Sequence, residues 1–218
     1  MSLKLYSYWR SSASYRVRIA LALKKAEYEF VPIDISKGMS GEQYGAAYRA
    51  INPQSRVPFL VDGDFGLGQS LAILEYLESK FPQPALIPAD AKARARMWAF
   101  CHTIAGDIQP LQNTGPLAYL TREFKISDEQ KNAWIRTWIE KGLSALEQER
   151  GTLKDSGFVF GDAPTLADCL LVPQVYNAER FSCDVSKFPR LFAITQRLRE
   201  HPAFAKAHPD RQPDAPKP

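Results

Sequence analysis

The order of the predicted secondary-structure elements is the feature that most constrains the fold of this chain. Before residue 81, strand-like runs occur at 3–8, 27–33 and 57–62, and helical patterns lie between them. The first two runs alternate apolar and polar residues, and the third is mainly apolar. Beyond residue 90 only helical patterns occur. Strands joined through a helix usually pair in parallel, whereas strands joined by a tight turn pair antiparallel. The sequence therefore predicts an α/β first half followed by an all-α second half.

The first half has the element order β-α-β-α-β-β-α, which is that of a thioredoxin-like module. Helices are predicted over residues 13–25 and 70–80. Pro58 lies inside a strand run, where proline is disfavoured because it has no N–H for the ladder. An edge strand would tolerate it, but in this element order we expect a cis peptide at Val57-Pro58, with the Val57 backbone free to bind an extended peptide.

Proline content divides the chain into domains. Residues 81–90, FPQPALIPAD, contain three prolines and predict a linker. We expect, in chain order, a thioredoxin-like domain at 1–81, a linker at 82–90, an all-helical domain at 91–211 and a disordered, proline-rich tail at 212–218. Within the helical domain, Thr165-Leu-Ala-Asp168 is a capping box that opens an apolar helix.

Charge and hydropathy narrow the class of partner. Lys and Arg total 28 and Asp and Glu total 24, a net charge of +4, and the two signs are interleaved along the chain. This pattern argues against a nucleic-acid partner and leaves small anionic substrates open. No apolar run approaches the ~20 residues of a membrane span, so no membrane partner is expected. The chain enters a strand pattern directly, and no signal peptide is expected.

The spacing of the cysteines and histidines predicts the redox state of the thiols and whether the chain binds a metal. Three cysteines, an odd number, lie far apart beside apolar stretches, at Cys101, Cys169 and Cys183. We expect buried, reduced thiols and a cytoplasmic protein. The three histidines show no metal-ligand spacing, and the sequence has neither a glycine-rich phosphate loop nor a C-x-x-C pair. No metal cofactor is therefore predicted.

A serine cluster marks the start of the first predicted helix. Ser11, Ser12 and Ser14 follow the first strand and precede two arginines. A helix N-terminus offers unpaired backbone N–H groups and the positive end of the helix dipole. Serine hydroxyls at such a place either cap the helix or donate to an anion. The cluster is therefore a candidate site for a thiolate, a carboxylate or a phosphate.

Several motifs, taken together, resemble those of the cytosolic glutathione transferases, and specifically their zeta class. The motifs are Ser11–Arg18, Val57-Pro58, Gln69-Ser70, Ile108–Asn113, Val172–Gln174, Asn177–Phe181 and Arg211–Asp214. The resemblance covers nearly the whole chain and implies the transferase architecture, a thioredoxin-like domain followed by a helical one, in a homodimer. One position departs from the pattern, because Ala13 stands where the zeta signature has a cysteine. A side reaction that uses this cysteine, such as dehalogenation, is therefore in doubt.

The resemblance implies that glutathione is the cofactor and that a serine activates its thiol. Ser11 is expected to donate a hydrogen bond to the thiolate and Ser12 to support it, and the helix dipole also lowers the thiol pKa. Tyr6 and Tyr8 are alternative thiol donors, although packing is the favoured role for both. The expected glutathione-binding residues are Ser11, Gln43, Val57, Pro58, Gln69, Ser70, Gln109 and Asn113.

The implied substrate is a small diketo dicarboxylic acid with a cis double bond. Reversible addition of the thiolate turns that bond into a rotatable single bond, which gives the trans isomer. Arg10 and Arg180 are expected to bind the carboxylates of the substrate, and Arg10 is also counted among the catalytic residues with Ser11 and Ser12. Arg16 and Arg18 are assigned to helix solvation or domain contacts.

The resemblance implies an enzyme that isomerises maleylacetoacetate to fumarylacetoacetate in aromatic amino-acid catabolism. Maleylpyruvate is the alternative substrate, and general glutathione transfer or dehalogenation is the alternative activity. A non-catalytic scaffold that mediates protein contacts belongs to a different class. A scaffold would not need Ser11, Val57-Pro58 and Gln69-Ser70, so their joint presence favours an enzyme.

Overall fold

The computed structural model describes residues 3–217, except for the side chain of Met39, and divides the chain into two units. One unit consists of Met1–Ala85 together with His201–Pro218, and the other consists of Leu86–Glu200. The boundary after Ala85 falls within residues 81–90, which form neither helix nor strand. The chain therefore leaves the first unit once and returns to it near its end.

A four-stranded sheet lies at the centre of the first unit. Its strands are β1 (Leu3–Ser7), β2 (Tyr28–Pro32), β3 (Phe59–Asp62) and β4 (Phe65–Gly68), in the spatial order β2-β1-β3-β4. Strands β1 and β2 are parallel because helix α1 (Ser12–Leu23) connects them, whereas β3 runs antiparallel to both β1 and β4. Gly63, with φ of 65°, allows the tight turn between β3 and β4. The predicted thioredoxin-like arrangement is confirmed.

Two further helices of the first unit are α2 (Ala46–Ile51) and α3 (Ser70–Lys80). Helices α1 and α3 pack against each other, and apolar side chains of the sheet and of both helices are fully buried. These buried side chains include Leu5, Leu60, Ile19, Leu21, Ile73 and Leu74. The packing forms one apolar core that fixes the end of β1 relative to the start of α1.

Local predictions for the first half agree closely with the structure. Helix α3 has the bounds predicted for it, and the Val57-Pro58 peptide is cis as expected. Helix α1 ends at Leu23, earlier than predicted, because Lys25 adopts a positive φ of 52° and breaks the helical backbone. A second cis peptide, Gln83-Pro84, was not expected.

The second unit is built from helices. They are α4 (Ala91–His102), α5 (Thr114–Glu123), α6 (Asp128–Gly151), α7 (Leu166–Arg180) and α8 (Pro189–Glu200). Between α4 and α5 the backbone forms a π-helical turn at Thr103–Ile108 and a 3-10 helix at Gln109–Gln112. All strands found in residues 3–217 belong to the first unit, so the predicted all-α second half is confirmed. None of the helices described is both long and apolar enough to cross a lipid bilayer.

The predicted capping box is present at the start of α7. The Thr165 N–H and hydroxyl both donate to Oδ2 of Asp168 at 2.8 Å, and the Val159 N–H donates to its Oδ1 at 2.9 Å. Asp168 is fully buried, and this burial raises the pKa of its carboxyl to about 6 despite the three donors. The box therefore fixes both the helix start and the chain segment before it.

The C-terminal segment differs from the predicted boundaries, which assigned 91–211 to the helical domain and 212–218 to a disordered tail. Helix α9 (Pro202–Ala207) belongs to the first unit and packs on α1, with the Phe204 ring fully buried. Beyond it, Asp214 accepts a hydrogen bond from the Trp9 N–H at 2.9 Å. Apolar burial and this long-range hydrogen bond hold the segment on the first unit.

The three cysteines are buried and lie outside any disulfide, as expected. Burial raises the pKa of the Cys183 thiol to about 11, so this thiol stays protonated at neutral pH. Burial without a disulfide is typical of cysteines that serve packing.

Candidate active site

The serine cluster lies where β1 passes into α1 through a turn at residues 8–11. The Ser11 N–H donates to the Tyr8 carbonyl oxygen over 3.0 Å and closes this turn. The Ser11 hydroxyl oxygen accepts the Ser14 N–H at 3.2 Å, so Ser11 is the N-cap of α1. The capping interpretation is thus correct for Ser11.

The Ser11 hydroxyl can still donate a hydrogen bond while it caps the helix. A hydroxyl has one donor hydrogen and two acceptor lone pairs, and the Ser14 N–H occupies only an acceptor. Ser11 is partly exposed, and the N–H groups of Ser12 and Ala13 have no hydrogen-bond partner among the residues that the structure describes. The start of α1 therefore presents a hydroxyl donor, two amide donors and the positive helix dipole to an anion.

The two tyrosines that compete with Ser11 are packed against other rings. The Tyr6 ring centroid lies 5.7 Å from that of Tyr48 and 6.4 Å from that of Phe59. Tyr8 is buried, and its ring centroid lies 5.9 Å from that of Trp9. These contacts account for both tyrosines as packing residues.

The start of α3 has an unusual backbone. Gln69 is the N-cap of this helix, and it adopts a positive φ of 67°. Such a backbone costs a non-glycine residue about 1–3 kcal/mol and often marks a functional position. The exposed Gln69 side chain is held by Gln54, whose Oε1 accepts from its Nε2 at 2.7 Å. Gln69 therefore sits in a fixed, strained conformation directly before the first-turn amides of α3.

Ser70 and Arg16 form a buried pair behind this helix start. The Arg16 Nη1 donates to the Ser70 hydroxyl oxygen over 3.2 Å, and both residues are buried. Because a hydroxyl that accepts still carries its own hydrogen, Ser70 retains a donor. The pair links the starts of α1 and α3, the two helices that carry the serine and glutamine candidates.

Val57 lies just outside the strand ladder. The register of β1 and β3 ends at the pair Tyr6–Phe59, so the Val57 backbone lies beyond the last paired residue. The Val57 side chain packs against the small apolar cluster of Ile33, Tyr48 and Phe59. The Val57 backbone is thus outside the β1–β3 ladder, and its pairing with an extended peptide stays a prediction.

Gln43 is a buried residue of a 3-10 turn at Glu42–Tyr44. Its Nε2 donates to the Gly38 carbonyl oxygen at 2.8 Å, and its Oε1 has no partner among the described residues. An oxygen acceptor cannot bind a carboxylate, so a contact with the glycyl carboxylate of glutathione requires the second Nε2 hydrogen. Gln43 stays a predicted ligand with a demonstrated role in bracing its own loop.

Arg10 is the cation nearest in sequence to Ser11. Its guanidinium carbon lies 5.2 Å from the centroid of the Trp9 ring, and the side chain is partly exposed. It forms no ion pair with any of the acidic side chains that the structure describes. A planar guanidinium supported on an aromatic face is suited to bidentate binding of a carboxylate.

The assignment of Arg16 and Arg18 to helix solvation is wrong, because each is only 1% exposed. Arg18 donates to the carbonyl oxygens of Tyr8, Trp9 and Ala207 and to the Ser7 hydroxyl. Its neighbours in α1 are buried on all sides, which is typical of a helix enclosed by protein. A buried guanidinium must find acceptors, and here the acceptors are the backbone at the end of β1.

Three further candidates lie in the second unit. Gln109 begins the 3-10 helix after the π-helical turn, and Asn113 caps α5 by accepting the Thr114 N–H at 2.8 Å. Arg180 is the exposed last residue of α7, with its guanidinium carbon 4.5 Å from the Phe181 ring centroid. The π-helical turn, a feature frequent at functional sites, left no signal in the sequence.

Comparison with known proteins identifies the family. Family models described as the glutathione S-transferase N-terminal and C-terminal domains match residues 1–79 and 118–202. A probable maleylacetoacetate isomerase of Vibrio cholerae is 48% identical over 216 residues, which cover 99% of each chain. The chain belongs to the glutathione S-transferase family. The expected architecture of the family is the one observed.

Solved structures place this glutathione S-transferase in the zeta class. A maleylpyruvate isomerase described as a zeta-class bacterial glutathione S-transferase is 43% identical with a TM-score of 0.94, covering 98% of this chain and 100% of that one. A maleylacetoacetate isomerase of Anaeromyxobacter dehalogenans, solved with bound glutathione, is 44% identical with a TM-score of 0.87, covering 99% and 98%. That isomerase was also solved with dicarboxyethyl glutathione and citrate in its active site.

In this glutathione S-transferase, two residues that contact the turn before Ser11 have no role in the site that the sequence predicts. Arg18 is predicted to serve helix solvation or domain contacts, and Asp214 is present only in the family motif Arg211–Asp214. Both bond to the main chain of Trp9, Arg18 at its carbonyl oxygen and Asp214 at its N–H. Asp214 could not be found from spacing, because 205 positions separate it from Trp9.

Proposed function

We propose that this protein catalyses the glutathione-dependent cis-trans isomerisation of maleylacetoacetate to fumarylacetoacetate, a step of aromatic amino-acid catabolism. The observation that carries the proposal is the Ser11 hydroxyl, which caps α1 with a lone pair and keeps its hydrogen for an anion. The arginine beside it, Arg10, has no acidic partner among the described residues. The names of the relatives support the same reaction.

The described residues of the first unit fit glutathione. Two helix starts offer unpaired first-turn amides, at Ser11 and at Gln69, and these suit the thiolate and the γ-glutamyl carboxylate respectively. Val57 is proposed to pair with the peptide part of the tripeptide, and its position beyond the end of the β1–β3 ladder supports this. When bound, glutathione supplies a thiolate that adds reversibly to the double bond of the substrate.

The residues of the chain stabilise charge and orient the substrate in this proposal. The Ser11 hydroxyl and the dipole of α1 favour the ionised thiol, and Ser12 supports them with its amide. Arg10 binds a substrate carboxylate and stabilises negative charge that develops on the conjugated carbonyl. In the second unit, Arg180 is proposed as a second carboxylate ligand, and Gln109 and Asn113 as further polar ligands.

The test is turnover of maleylacetoacetate with and without glutathione. We expect loss of the cis acid only when glutathione is present, and we expect Ser11→Ala to lower kcat/KM by about 10²-fold, as for loss of one donor to a reacting anion. Ser127→Ala is the matched control, because Ser127 caps α6 with the same hydroxyl geometry, accepting the Gln130 N–H at 3.2 Å. Turnover without glutathione, or equal rates for the two variants, would contradict the proposal.

Maleylpyruvate is the second candidate substrate, favoured by the high structural similarity to a maleylpyruvate isomerase. The two acids share the cis double bond and the carboxylates that arginines would bind. The ratio of kcat/KM for the two acids decides between them. A dehalogenating activity that uses the cysteine of the zeta signature is less well supported, because Ala13 stands at that position.

We also propose a homodimer that works in a reducing compartment, the cytoplasm. The family resemblance supports the dimer, and a solution mass of about twice 24.5 kDa would test it. Three buried cysteines without a disulfide and the use of a thiol cofactor support the reducing compartment. Neither statement affects the proposed chemistry within one chain.

A further inference from the structure

The turn that leads into the serine cluster is held at Trp9, through the two peptide units on either side of this residue. The Trp9 N–H donates to Oδ2 of Asp214 at 2.9 Å, and the Trp9 carbonyl oxygen accepts from Nη2 of Arg18 at 2.8 Å. Both main-chain polar groups of Trp9 are therefore bound by charged side chains. The next two residues along the chain are Arg10 and Ser11, the groups proposed to face substrate and thiolate.

Arg18 is a buried connector between this turn and the C-terminal segment. Its Nη1 lies 3.3 Å from both the Tyr8 carbonyl oxygen and the Ser7 hydroxyl, and its Nε donates to the Ala207 carbonyl oxygen at 3.2 Å. The Tyr8 oxygen also accepts the Ser11 N–H that closes the turn. A rigid guanidinium fork with these acceptors leaves the turn little freedom to rotate.

Asp214 reaches the turn on a segment that is itself anchored. The Gln212 Nε2 donates to the carbonyl oxygens of Lys206 and His208 at 3.1 and 2.8 Å. The His208 ring packs edge-on against the Tyr15 ring of α1, with centroids 6.1 Å apart. The Asp214 carboxylate is therefore held in a fixed position. Its other oxygen, Oδ1, is buried without a partner among the described residues.

We infer that Asp214 and Arg18 are positioning residues for Arg10 and Ser11, and that they act through the main chain of Trp9. Asp214 orients the Tyr8–Trp9 peptide by accepting the Trp9 N–H, and Arg18 orients the Trp9–Arg10 peptide by donating to the Trp9 carbonyl oxygen. Together they fix the direction of the Ser11 hydroxyl at the end of the turn. The Trp9 ring, carried by the same residue, supports the Arg10 guanidinium. The roles of Arg10 and Ser11 in this inference rest on the proposed function.

The inference is tested on the full chain with Asp214→Ala, Asp214→Asn and the control Asp210→Asn. Asp210 lies on the same segment but is exposed and does not contact the turn. Asparagine keeps an oxygen that can accept the Trp9 N–H, whereas alanine keeps none. Two properties are measured: the pKa of the bound glutathione thiol, from the ultraviolet absorbance of the thiolate, and kcat/KM for maleylacetoacetate.

We expect Asp214→Ala to raise the thiol pKa and to lower kcat/KM by about 10- to 100-fold, the range expected when a reacting group is misplaced by a fraction of an ångström to one ångström. Asp214→Asn should restore most of both properties, within about 3-fold, and Asp210→Asn should change neither. A lower melting temperature of Asp214→Ala with an unchanged thiol pKa and unchanged kcat/KM would overturn the inference. Equal defects in Asp214→Asn and Asp214→Ala would also overturn it, because asparagine retains the hydrogen bond.

The two readouts separate this inference from the proposed function. If neither acid is isomerised but Asp214→Ala still raises the thiol pKa, the positioning role stands and the proposed reaction fails. If the acid is isomerised but Asp214→Ala behaves like Asp210→Asn, the reaction stands and the positioning role fails. If Asp214→Ala does not fold, Asp214→Asn is compared with Asp214→Gln. The longer glutamine side chain must displace the turn, so this comparison tests the same geometry.

Discussion

At Ser11 one hydroxyl serves two partners with different atoms. Its oxygen accepts the Ser14 N–H and terminates α1, while its hydrogen is left for the proposed thiolate. Capping and catalysis therefore do not compete at this residue. The same logic holds at Ser70, whose oxygen accepts from Arg16.

Gln69 shows the opposite relation, in which stability and binding conflict. Its positive φ of 67° is strained for glutamine and relaxed for glycine. We expect Gln69→Gly to raise the free energy of unfolding by about 0.5–1 kcal/mol while it weakens glutathione binding several-fold, since the amide side chain is lost. Denaturant titration and isothermal calorimetry with glutathione measure the two effects.

Lys125→Gly is the matched control for Gln69→Gly. Lys125 also has a positive φ, of 53°, but it is an exposed residue of the second unit that is not predicted to bind glutathione. It should gain stability without losing glutathione affinity. Unchanged glutathione affinity in Gln69→Gly would remove Gln69 from the binding residues.

Asp168 predicts a specific dependence of stability on pH. Burial raises the pKa of its carboxyl from 3.8 to about 6 in the folded protein, so the folded state binds the proton more tightly than the unfolded state. Its contribution to stability is complete below about pH 4 and is lost as the pH rises through about 6. Compared with Asp168→Asn, which does not titrate, the wild type should lose about 2 kcal/mol between pH 4 and pH 7.

Urea unfolding of both proteins at several pH values between 4 and 7 measures this difference. Asp168→Asn is itself expected to be less stable by about 1–3 kcal/mol, because one amide oxygen cannot accept all three donors of the box. The prediction concerns how the difference in the free energy of unfolding between the two proteins changes with pH. Parallel stability curves for the two proteins would contradict it.

At the scale of elements, α6 and the π-helical turn approach each other closely at Gly142. A methyl group at Gly142 would lie 2.3 Å from Cδ1 and Cγ1 of Ile108, the last residue of that turn. We expect Gly142→Ala to destabilise the protein by about 1–2 kcal/mol, since overpacking outweighs the better helix propensity of alanine. It should also lower kcat/KM if Gln109, the next residue, binds a ligand as predicted.

Two companion variants isolate the cause. Gly106→Ala adds the same methyl group within the π-helical turn, where nothing lies within 4 Å, and should not destabilise. Ile108→Ala combined with Gly142→Ala removes the overlap, so the double variant should be more stable than the sum of the two single effects predicts. Additive effects in thermal unfolding would show that the close approach is not responsible.

Features that depend on neighbouring residues in the sequence were predictable. Features that depend on contacts between distant parts of the chain were not. The bounds of α3 and the capping box at Thr165 follow from short-range spacing and were predicted. The burial of Arg18 depends on acceptors at Trp9 and Ala207, which no local pattern reveals. The serine cluster was predictable because a few adjacent residues are enough to indicate a helix start. The residues that fix the turn before this cluster lie elsewhere in the chain.

At the scale of the whole molecule, the first unit is made from both ends of the chain. Removal of residues 201–218 would leave the contacts of the Phe204 ring unfilled and Arg18 without its acceptor at Ala207. We expect this truncation to destabilise the first unit by several kcal/mol, since loss of one buried phenylalanine alone costs about 3–5 kcal/mol. The melting temperature and the glutathione affinity measure the effect.

Removal of residues 215–218 alone is the control for that truncation. It keeps Asp214, Phe204 and Ala207, so the melting temperature and glutathione affinity should change little. A similar loss in the two truncated proteins would mean that the last four residues, rather than α9 and Asp214, stabilise the unit.

The return of the chain to its starting unit also sets an order of events during synthesis. The turn before Ser11 is synthesised well before its partner Asp214, which lies 205 positions later in the chain. The turn of the nascent first unit therefore stays incomplete until Asp214 has been synthesised. A product terminated before Asp214 would carry every predicted glutathione ligand of that unit but would lack the carboxylate proposed to position Arg10 and Ser11, so synthesis as far as Asp214 becomes a condition for thiol activation.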